Sequence, residues 1–402
     1  MKFLVIVQDL RISGTSEGIV SRSFLSKLRK TYPNSIIDVV YIKHFKNDDQ
    51  LDLLSVDTMN IFFVDFKVPF FTRLLNKFFC RFLHRSLNNS HIVNKYTSIV
   101  AKIPFEQYNN IFMRSSGLEF EVIRSAKDLP ILKNAIINFH DAYPVFWDSG
   151  SKLKLTPIEL FKLKEMWEIV KQCKSCISPA SLLSEDLQYL YGASKKFYTL
   201  PHQYDESVFD FSDLNSVRKK EKPITISYHG AIQFARNIDI LIDAYLELVK
   251  QNNTYKENTE FIIRVRGFHN ERLRKKYSDD QNVIILEGVD FANSSYEQSH
   301  ETDILIILEN CSLHSNILVG KAPFLASIKK PVLSLSPEKS ELRRIIKNEK
   351  YIATCSDSNE IKHKLESLIK DRMNSKSEVS PFGDYFGDAN FKSMIEKLIS
   401  NS

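Results

Sequence analysis

Short apolar runs alternate with amphipathic stretches along the first half of the chain, and this pattern predicts strands separated by helices. The run 3–7 is a candidate buried strand. A stretch with Phe24, Leu25 and Leu28 on one side predicts the helix that follows it. Strands that alternate with helices favour a parallel sheet covered on both faces. The later strands of this half are predicted at 36–42, 111–113, 135–139, 174–177 and 197–200.

The alternation stops at a polar, charged stretch, 210–223, which is the best candidate for a linker. It begins again afterwards, with strands predicted at 225–228, 261–265, 283–286, 304–308 and 332–335. Two such series predict an α/β protein with two Rossmann-like domains. We place these domains at 1–208 and 209–385. A final amphipathic helix is predicted at 386–402, and packing back across the domains is one option for it.

Composition supports this plan and excludes some classes of function. A length of 402 residues suits two domains, and 43% hydrophobic residues allows each domain a core. The net charge of +6 is too small to argue for nucleic acid, and no nucleic-acid-binding motif accompanies it. Five scattered cysteines argue against a disulfide framework. Cys173 and Cys176 form a single CxxC, for which buried thiols are favoured over a metal or redox role.

The N-terminal apolar run is too short for a signal peptide, because Gln8 and Asp9 follow it directly. No run reaches the roughly 18 apolar residues of a spanning helix. The sequence therefore predicts a cytoplasmic protein, with contact at the inner face of the cell membrane as an alternative.

Two segments each place a glycine and a cation between a predicted strand and a predicted helix. The first, 229–239, contains Gly230 and Arg236, and the second begins at Gly320 and Lys321. Helix amides and a basic side chain converge at such a position in α/β proteins. Both segments are therefore candidates for binding a diphosphate.

The order of these segments resembles the GT-B glycosyltransferases, and specifically the retaining family 4 enzymes of bacterial polysaccharide synthesis. In that family a lysine or arginine stands six residues after the glycine that ends a strand, as Arg236 stands after Gly230. The family's donor loop reads Gly-Lys-Leu-Phe-Glu-Tyr-Leu-Ala and then Gly-Lys-Pro-Val. This chain keeps its Gly320, Lys321, Leu325, Ala326, Lys330, Pro331 and Val332.

The resemblance implies a GT-B fold, in which two Rossmann-like domains face a central cleft. It also implies transfer of a sugar from a nucleotide-sugar donor to a cell-surface polysaccharide or a lipid-linked glycan. Gly230 and Gly320 would then bind the donor.

The chain departs from the family at its two glutamates, which would fall at Asn316 and Phe324. In the family the second glutamate commonly binds the nucleotide ribose, and the first lies near the donor sugar. Ser315 and Asn316 are candidates to hydrogen-bond sugar hydroxyls, with ordinary loop polarity as the alternative. These departures leave the nucleotide open. They also motivate a second hypothesis, a non-catalytic GT-B protein that binds a glycan or a partner enzyme.

Glycosyl transfer requires stabilisation of the departing nucleotide diphosphate. Glycosyltransferases of the GT-A class usually hold a metal ion with an Asp-x-Asp motif. This chain has no such motif, so we expect neither a metal nor another cofactor. Arg236 and Lys321 are the candidates to neutralise the diphosphate, since arginine offers a planar fork and lysine a point charge. The alternative is a pair of surface cations at helix starts.

His140 follows a predicted strand and so lies at the edge of the sheet where α/β proteins bind ligands. In the family a histidine in this loop lies over the donor sugar, so the resemblance gives His140 a positioning role, with a histidine that caps the loop as the alternative. Gly14, Thr15 and Gly18 form the first strand-to-helix loop, which faces the acceptor in the family; an ordinary helix-start loop is the alternative. Arg114 ends another strand and is a further candidate for the acceptor side.

One region suggests contact with a membrane. Residues 70–85 form a helical stripe of Phe and Leu, with Arg73, Lys77, Arg81 and Arg85 elsewhere on the helix. Such a helix suits an acceptor built on a lipid carrier. A core-facing helix with a solvated basic side is the alternative. A third class of function, a sugar-nucleotide epimerase on the same fold, ranks last because no cluster of catalytic carboxylates and histidines is evident.

Overall fold

The computed structural model describes residues 1–46, 49–115, 117, 119–148, 152–192, 194–233 and 235–401. The chain divides into two compact units. Unit 1 comprises Met1–Val208 and Asp388–Ser402, and unit 2 comprises Phe209–Gly387. Each unit is built on a parallel sheet with helices between its strands. The predicted α/β class, with two Rossmann-like domains, is confirmed.

Among the described residues, the sheet of unit 1 has seven strands in the order β3-β2-β1-β4-β5-β6-β7. They are β1 (Lys2–Val7), β2 (Ile36–Lys43), β3 (Thr58–Phe63), β4 (Asn110–Arg114), β5 (Ala135–Asn138), β6 (Ser175–Ser178) and β7 (Phe197–Thr199). The helices of this part are α1 (Ser16–Thr31), α2 (Phe70–Phe82), α3 (Leu87–Val100), α4 (Glu121–Ser125), α5 (Pro157–Gln172) and α6 (Ser181–Tyr191). The pattern of apolar residues predicted every one of these strands except β3.

The sheet of unit 2 has six described strands in the order β10-β9-β8-β11-β13-β15, and two short strands, β12 and β14, pair beside it. The strands are β8 (Ile224–His229), β9 (Thr259–Val265), β10 (Val283–Glu287), β11 (Ile304–Leu308), β12 (His314–Ser315), β13 (Val332–Ser336), β14 (Lys339–Ser340) and β15 (Ile352–Thr354). The helices are α7 (Asp239–Gln251), α8 (Asn253–Asn258), α9 (Phe268–Lys276), α10 (Phe291–Tyr296), α11 (Ala322–Ser327), α12 (Glu341–Ile345) and α13 (Ser358–Asn374).

The last helix, α14 (Asp388–Asn401), belongs to unit 1. Its Phe391, Ile395 and Leu398 are buried, and the Phe391 ring meets the Phe24 ring of α1 at 6.0 Å between centroids. The Lys27 ammonium lies 3.0 Å from the Asp388 carboxylate. The chain therefore returns to unit 1 after completing unit 2.

Helix α2 differs from the other long helices of unit 1, because none of its side chains is buried. The alternative prediction, that this helix packs against the core, is therefore not supported by the structure. In the part of the chain that the structure describes, no helix combines the length and apolar character needed to cross a bilayer. Cys173 and Cys176 are free, buried thiols, with their Sγ atoms 3.5 Å apart.

A buried arginine joins three separate segments of unit 1. Arg22 of α1 is fully buried, and its five N–H groups donate to the carbonyl oxygens of Leu10, Asp49, Gln50 and Val208. Burial lowers the pKa of Arg22 to about 10, so the side chain stays charged at neutral pH. The planar guanidinium satisfies four carbonyls that would otherwise be buried without a donor.

We predict that Arg22→Met destabilises unit 1 by about 3–5 kcal/mol, because the substitution leaves buried carbonyl groups without donors. Arg22→Lys should cost less, since an ammonium still supplies three donors. Trp147 and Trp167 both lie in unit 1, so urea unfolding followed by tryptophan fluorescence reports on that unit. Lys392→Met, at an exposed position on α14, is the control. An equal effect of Arg22→Met and Lys392→Met would contradict the assignment.

Candidate functional site

In unit 2 the order of strands reverses between β8 and β11, so the loops that follow these two neighbouring strands diverge. Such a switch point opens a crevice at the carboxyl edge of the sheet, where open α/β sheets bind their ligands. Gly230 directly follows β8, and Glu309 and Asn310 directly follow β11. The first of the two predicted diphosphate segments therefore lies at the switch point of unit 2.

Lys321 lies across the end of β8. Its Nζ donates to the carbonyl oxygen of His229 at 2.8 Å and stands 4.3 Å from the centroid of the Tyr228 ring. A Cβ atom at Gly230 would be 3.1 Å from this Nζ, so the glycine leaves the space that the ammonium uses. The structure thus brings together Gly230 and Lys321, which are 91 positions apart in the sequence. Gly320 adjoins Lys321 in the turn before α11.

Arg236 approaches the same strand ends. Its Nε donates to Asn310 Oδ1 at 3.2 Å, and its Nη1 donates to the carbonyl oxygen of Ala231 at 3.3 Å. Burial and the charge of Arg236 together lower the pKa of Lys321 to about 7. Within the described residues, neither Arg236 nor Lys321 forms an ion pair with a carboxylate. Two neighbouring cations that have no carboxylate partner among the described residues are suited to contact with an anion.

The remaining donor candidates lie close to the short sheet of β12 and β14. Ser315 and Asn316 are buried, and Ser315 pairs with Ser340 of β14. Phe324, at the position of a family glutamate, is also buried, with its ring 5.9 Å from that of Phe291. Phe324 therefore contributes to an apolar cluster.

Sequence reasoning missed three residues of this site. Tyr228 stacks under Lys321, Asn310 orients Arg236, and Glu309 is buried beside Asn310. Burial raises the pKa of Glu309 to about 7, although the hydroxyls of Ser336 and Ser340 oppose this rise. Each of the three lies at the carboxyl end of an apolar run that forms a strand. A polar residue at such a position is the sequence signal that could have identified them.

Unit 1 has its own switch point, between β1 and β4. In the loop after β1, Thr15 caps α1 by accepting from the Gly18 amide, and its hydroxyl donates to Asp9 at 2.9 Å. Gly18 is required for close packing, since a Cβ there would lie 2.4 Å from the carbonyl oxygen of Arg11. Gly14 has φ +90°, a backbone conformation that favours glycine. The three predicted residues therefore shape this loop.

Arg114, at the end of β4, points into unit 1. Its guanidinium is buried, with Nε 3.3 Å from Ser21 Oγ and its central carbon 4.5 Å from the centroid of the Phe24 ring. Burial lowers the pKa of Arg114 to about 9. The side chain thus braces α1 against the sheet. This placement does not support the predicted position on the acceptor side.

His140 follows β5 and is only 5% exposed, with its ring 4.5 Å from that of His202. One ligand atom from each of Glu17, His140 and Asp141 lies within 4.8 Å of the others. Burial and the nearby Glu17 raise the pKa of Asp141, against the effect of His140. Of the described residues, these are the three whose geometry could hold a metal ion, and they also form an acid–base cluster. The sequence had singled out His140 but missed Glu17, which lies in the first turn of α1.

The lowered pKa of Lys321 predicts how the free energy of unfolding changes with pH. An unfolded lysine titrates near 10.5 and the folded one near 7, so the folded state binds its proton less well. The charged form therefore destabilises unit 2 below pH 7, and this penalty disappears as the pH rises towards 10.5. We expect Lys321→Met to gain stability relative to wild type as the pH falls from 10 to 7, by at most about 1.4 kcal/mol per pH unit.

Glu309→Gln is the matched control, because its effect on stability should change with pH in the opposite direction. The raised pKa of Glu309 means that its charged form destabilises the folded state above pH 7, an effect absent below about 4.5. This variant should gain stability relative to wild type as the pH rises. Thermal unfolding followed by circular dichroism at each pH measures both differences. A difference between either variant and wild type that does not change with pH would contradict the corresponding pKa shift.

No protein-family model matches the chain, and comparison with curated protein sequences finds no significant match. Solved structures do resemble it. Anabaena HepE in complex with UDP has 12% sequence identity and a TM-score of 0.61, with 100% of both chains covered. The UDP-GlcNAc 2-epimerase of Neisseria meningitidis, bound to UDP-GlcNAc, has 15% identity and a TM-score of 0.56, again with 100% of both chains covered.

The lipopolysaccharide outer core galactosyltransferase WaaB, in its apo form, has 13% identity and a TM-score of 0.58. That comparison covers 99% of this chain and 100% of WaaB. Identities this low carry the fold and not the activity. They support the GT-B fold without singling out family 4. The chain therefore has a GT-B-type fold built from two Rossmann-like units.

Proposed function

We propose that this protein is a glycosyltransferase that moves a sugar from a nucleotide-sugar donor to a cell-surface polysaccharide or a lipid-linked glycan. The observation that carries the proposal is the pair of cations, Arg236 and Lys321, at the switch point of unit 2. They lie at the carboxyl ends of β8 and β11 and have no carboxylate partner among the described residues. A nucleotide diphosphate has the charge and size to fill such a site.

The electrostatics of these two residues suit a leaving diphosphate. The charge of Arg236 helps to lower the pKa of Lys321, so the two cations repel each other in the unliganded protein. A diphosphate would relieve this repulsion, and it would do so most strongly as negative charge develops on the departing group. Arg236 would then act through its guanidinium and Lys321 as a point charge, without a metal ion.

In unit 1 we assign His140 to contact with the donor sugar or the acceptor. The ring is buried beside Glu17 and Asp141, which can fix its orientation. In this assignment His140 positions the reactants and does not act as a nucleophile. The resemblance to family 4 supports retention of configuration and a role in polysaccharide biosynthesis, and both are part of the proposal.

A thermal-shift screen with UDP, GDP, ADP, CMP and their common sugars, in EDTA, tests the donor site. A ligand at one hundred times its dissociation constant should stabilise the native protein by about 2.7 kcal/mol. Arg236→Ala and Lys321→Ala should each weaken binding by about tenfold or more, since each removes a charge-assisted contact to phosphate. Lys250→Ala, at the exposed last turn of α7, is the matched control. A chain that binds none of these nucleotides would refute the proposal.

The cluster of Glu17, His140 and Asp141 favours a second candidate, a nucleotide-sugar epimerase. A histidine close to two carboxylates is suited to moving protons on a sugar. The solved structures that resemble this chain include a UDP-GlcNAc 2-epimerase. Proton NMR of the bound nucleotide-sugar without any acceptor separates the candidates. An epimerase changes the sugar configuration under these conditions, whereas a transferase leaves the donor intact or slowly hydrolyses it.

The non-catalytic alternative rests on Asn316 and Phe324, which stand at the sequence positions of the two family glutamates and are both buried. A protein of that kind can bind a nucleotide without turning it over. Incubation with a radiolabelled donor and total cell-surface glycan tests this alternative. Incorporation that Arg236→Ala abolishes would exclude the non-catalytic alternative, and binding without incorporation or hydrolysis would favour it.

A further inference from the structure

Helix α2 and the edge strand β3 expose an apolar surface on unit 1, which we call the α2–β3 surface. In α2 the Phe71 side chain is 75% exposed and Phe78 is 55% exposed. In β3 the Ile61 and Phe63 side chains are each about half exposed. Isolated exposed apolar residues are ordinary, but a continuous helix face of them indicates an interaction surface. The other members of this surface are Phe62, Phe70, Leu74, Leu75, Phe82 and Leu83.

The apolar stripe of α2 follows helical spacing. Phe71, Leu74, Leu75, Phe78 and Phe82 recur at intervals of three and four residues, so they share one side of the helix. Lys77 and Arg81 border this side, whereas Arg73 lies opposite it, and all three are exposed. The helix therefore presents an apolar side that nothing in unit 1 covers, with Lys77 and Arg81 along its margin.

The segment of the chain that contains α2 carries charge of one sign. The stretch 66–105 contains seven lysines and arginines and no aspartate or glutamate, in a chain that has 49 acidic residues. Arg81 and Arg85, near the end of α2, are exposed as well. A surface this basic attracts an anionic partner.

The apolar character continues onto the edge of the sheet. Phe62 of β3 is partly exposed, and it also lines a groove of about 490 Å³ with Leu4, Val40, Ile99 and Ile103. An exposed edge strand with apolar side chains is a liability for a soluble protein unless something covers it. The edge strand therefore exposes apolar side chains on both faces of the sheet, in addition to the apolar side of α2.

We propose that the α2–β3 surface docks unit 1 on an anionic lipid bilayer. Phe and Leu side chains of α2 would enter the boundary between headgroups and acyl chains, and the cations would reach lipid phosphates. A second copy of the chain is a poorer partner, because a symmetric contact would bring two sets of like charges together. This inference stands on the exposed side chains and the charge of unit 1, independently of the proposed enzymatic activity.

Sedimentation with lipid vesicles tests the proposal on the full chain. We expect binding to phosphatidylcholine vesicles that contain phosphatidylglycerol, and binding at least about tenfold weaker to phosphatidylcholine alone. Phe71→Ser with Phe78→Ser should abolish binding. Lys77→Glu with Arg81→Glu should abolish the preference for anionic lipid. All four positions are exposed, so the variants should keep the melting temperature of wild type.

Matched controls lie in unit 2. Phe268→Ser with Leu313→Ser removes two side chains that are 73% and 87% exposed, and Lys250→Glu with Lys275→Glu makes the same change of charge. Both controls should bind vesicles as wild type does. Failure of wild type to bind anionic vesicles, or equal losses in the controls, would overturn the proposal. So would a wild-type dimer in light scattering that Phe71→Ser with Phe78→Ser dissociates, if vesicle binding is absent.

Discussion

Neighbouring parallel strands end at the same edge of a sheet, and the candidate sites of both units depend on this constraint. In unit 2 the chain turns outward after β8 and in the opposite direction after β11, so the two loops separate and leave the strand ends accessible. Arg236 and Asn310 lie 74 positions apart in sequence and still meet there. Buried β-branched and aliphatic residues hold the strands in register, and the polar residues that follow them supply the chemistry.

The electrostatic arrangement at that edge opposes stability. Lys321 holds its proton poorly next to Arg236, while burial makes Glu309 reluctant to ionise. Groups whose pKa values are shifted in both directions at the carboxyl edge of one sheet are more typical of function than of structure. Arg22 is buried as well, but its N–H groups all donate to backbone carbonyls, and these hydrogen bonds fasten three segments of unit 1 together.

The sequence predicted most of the fold because its central strands are apolar runs between helical patterns. It missed β3 (Thr58–Phe63), which is exposed on most of its length. This strand mixes polar and apolar residues, so it shows neither a continuous apolar run nor a regular alternation. It placed Gly230 and Arg236 near a strand end because both are local to β8. Glu17 and His140 are far apart in the sequence and come close together only in the folded protein, so no local sequence pattern could have predicted their contact. Helical spacing alone could not show whether the apolar stripe of α2 faces the core or the surface, since both give the same period.

The return of α14 to unit 1 has a consequence for biosynthesis. Unit 2 is one continuous segment, whereas unit 1 is made of two segments separated by all of unit 2. As the ribosome makes the chain, unit 2 has all of its residues before α14 has emerged. The pocket that takes Phe391, Ile395 and Leu398 stays uncovered during that interval. Unit 1 can therefore complete its core only after all of unit 2 has been synthesised, although it is the first part to leave the ribosome.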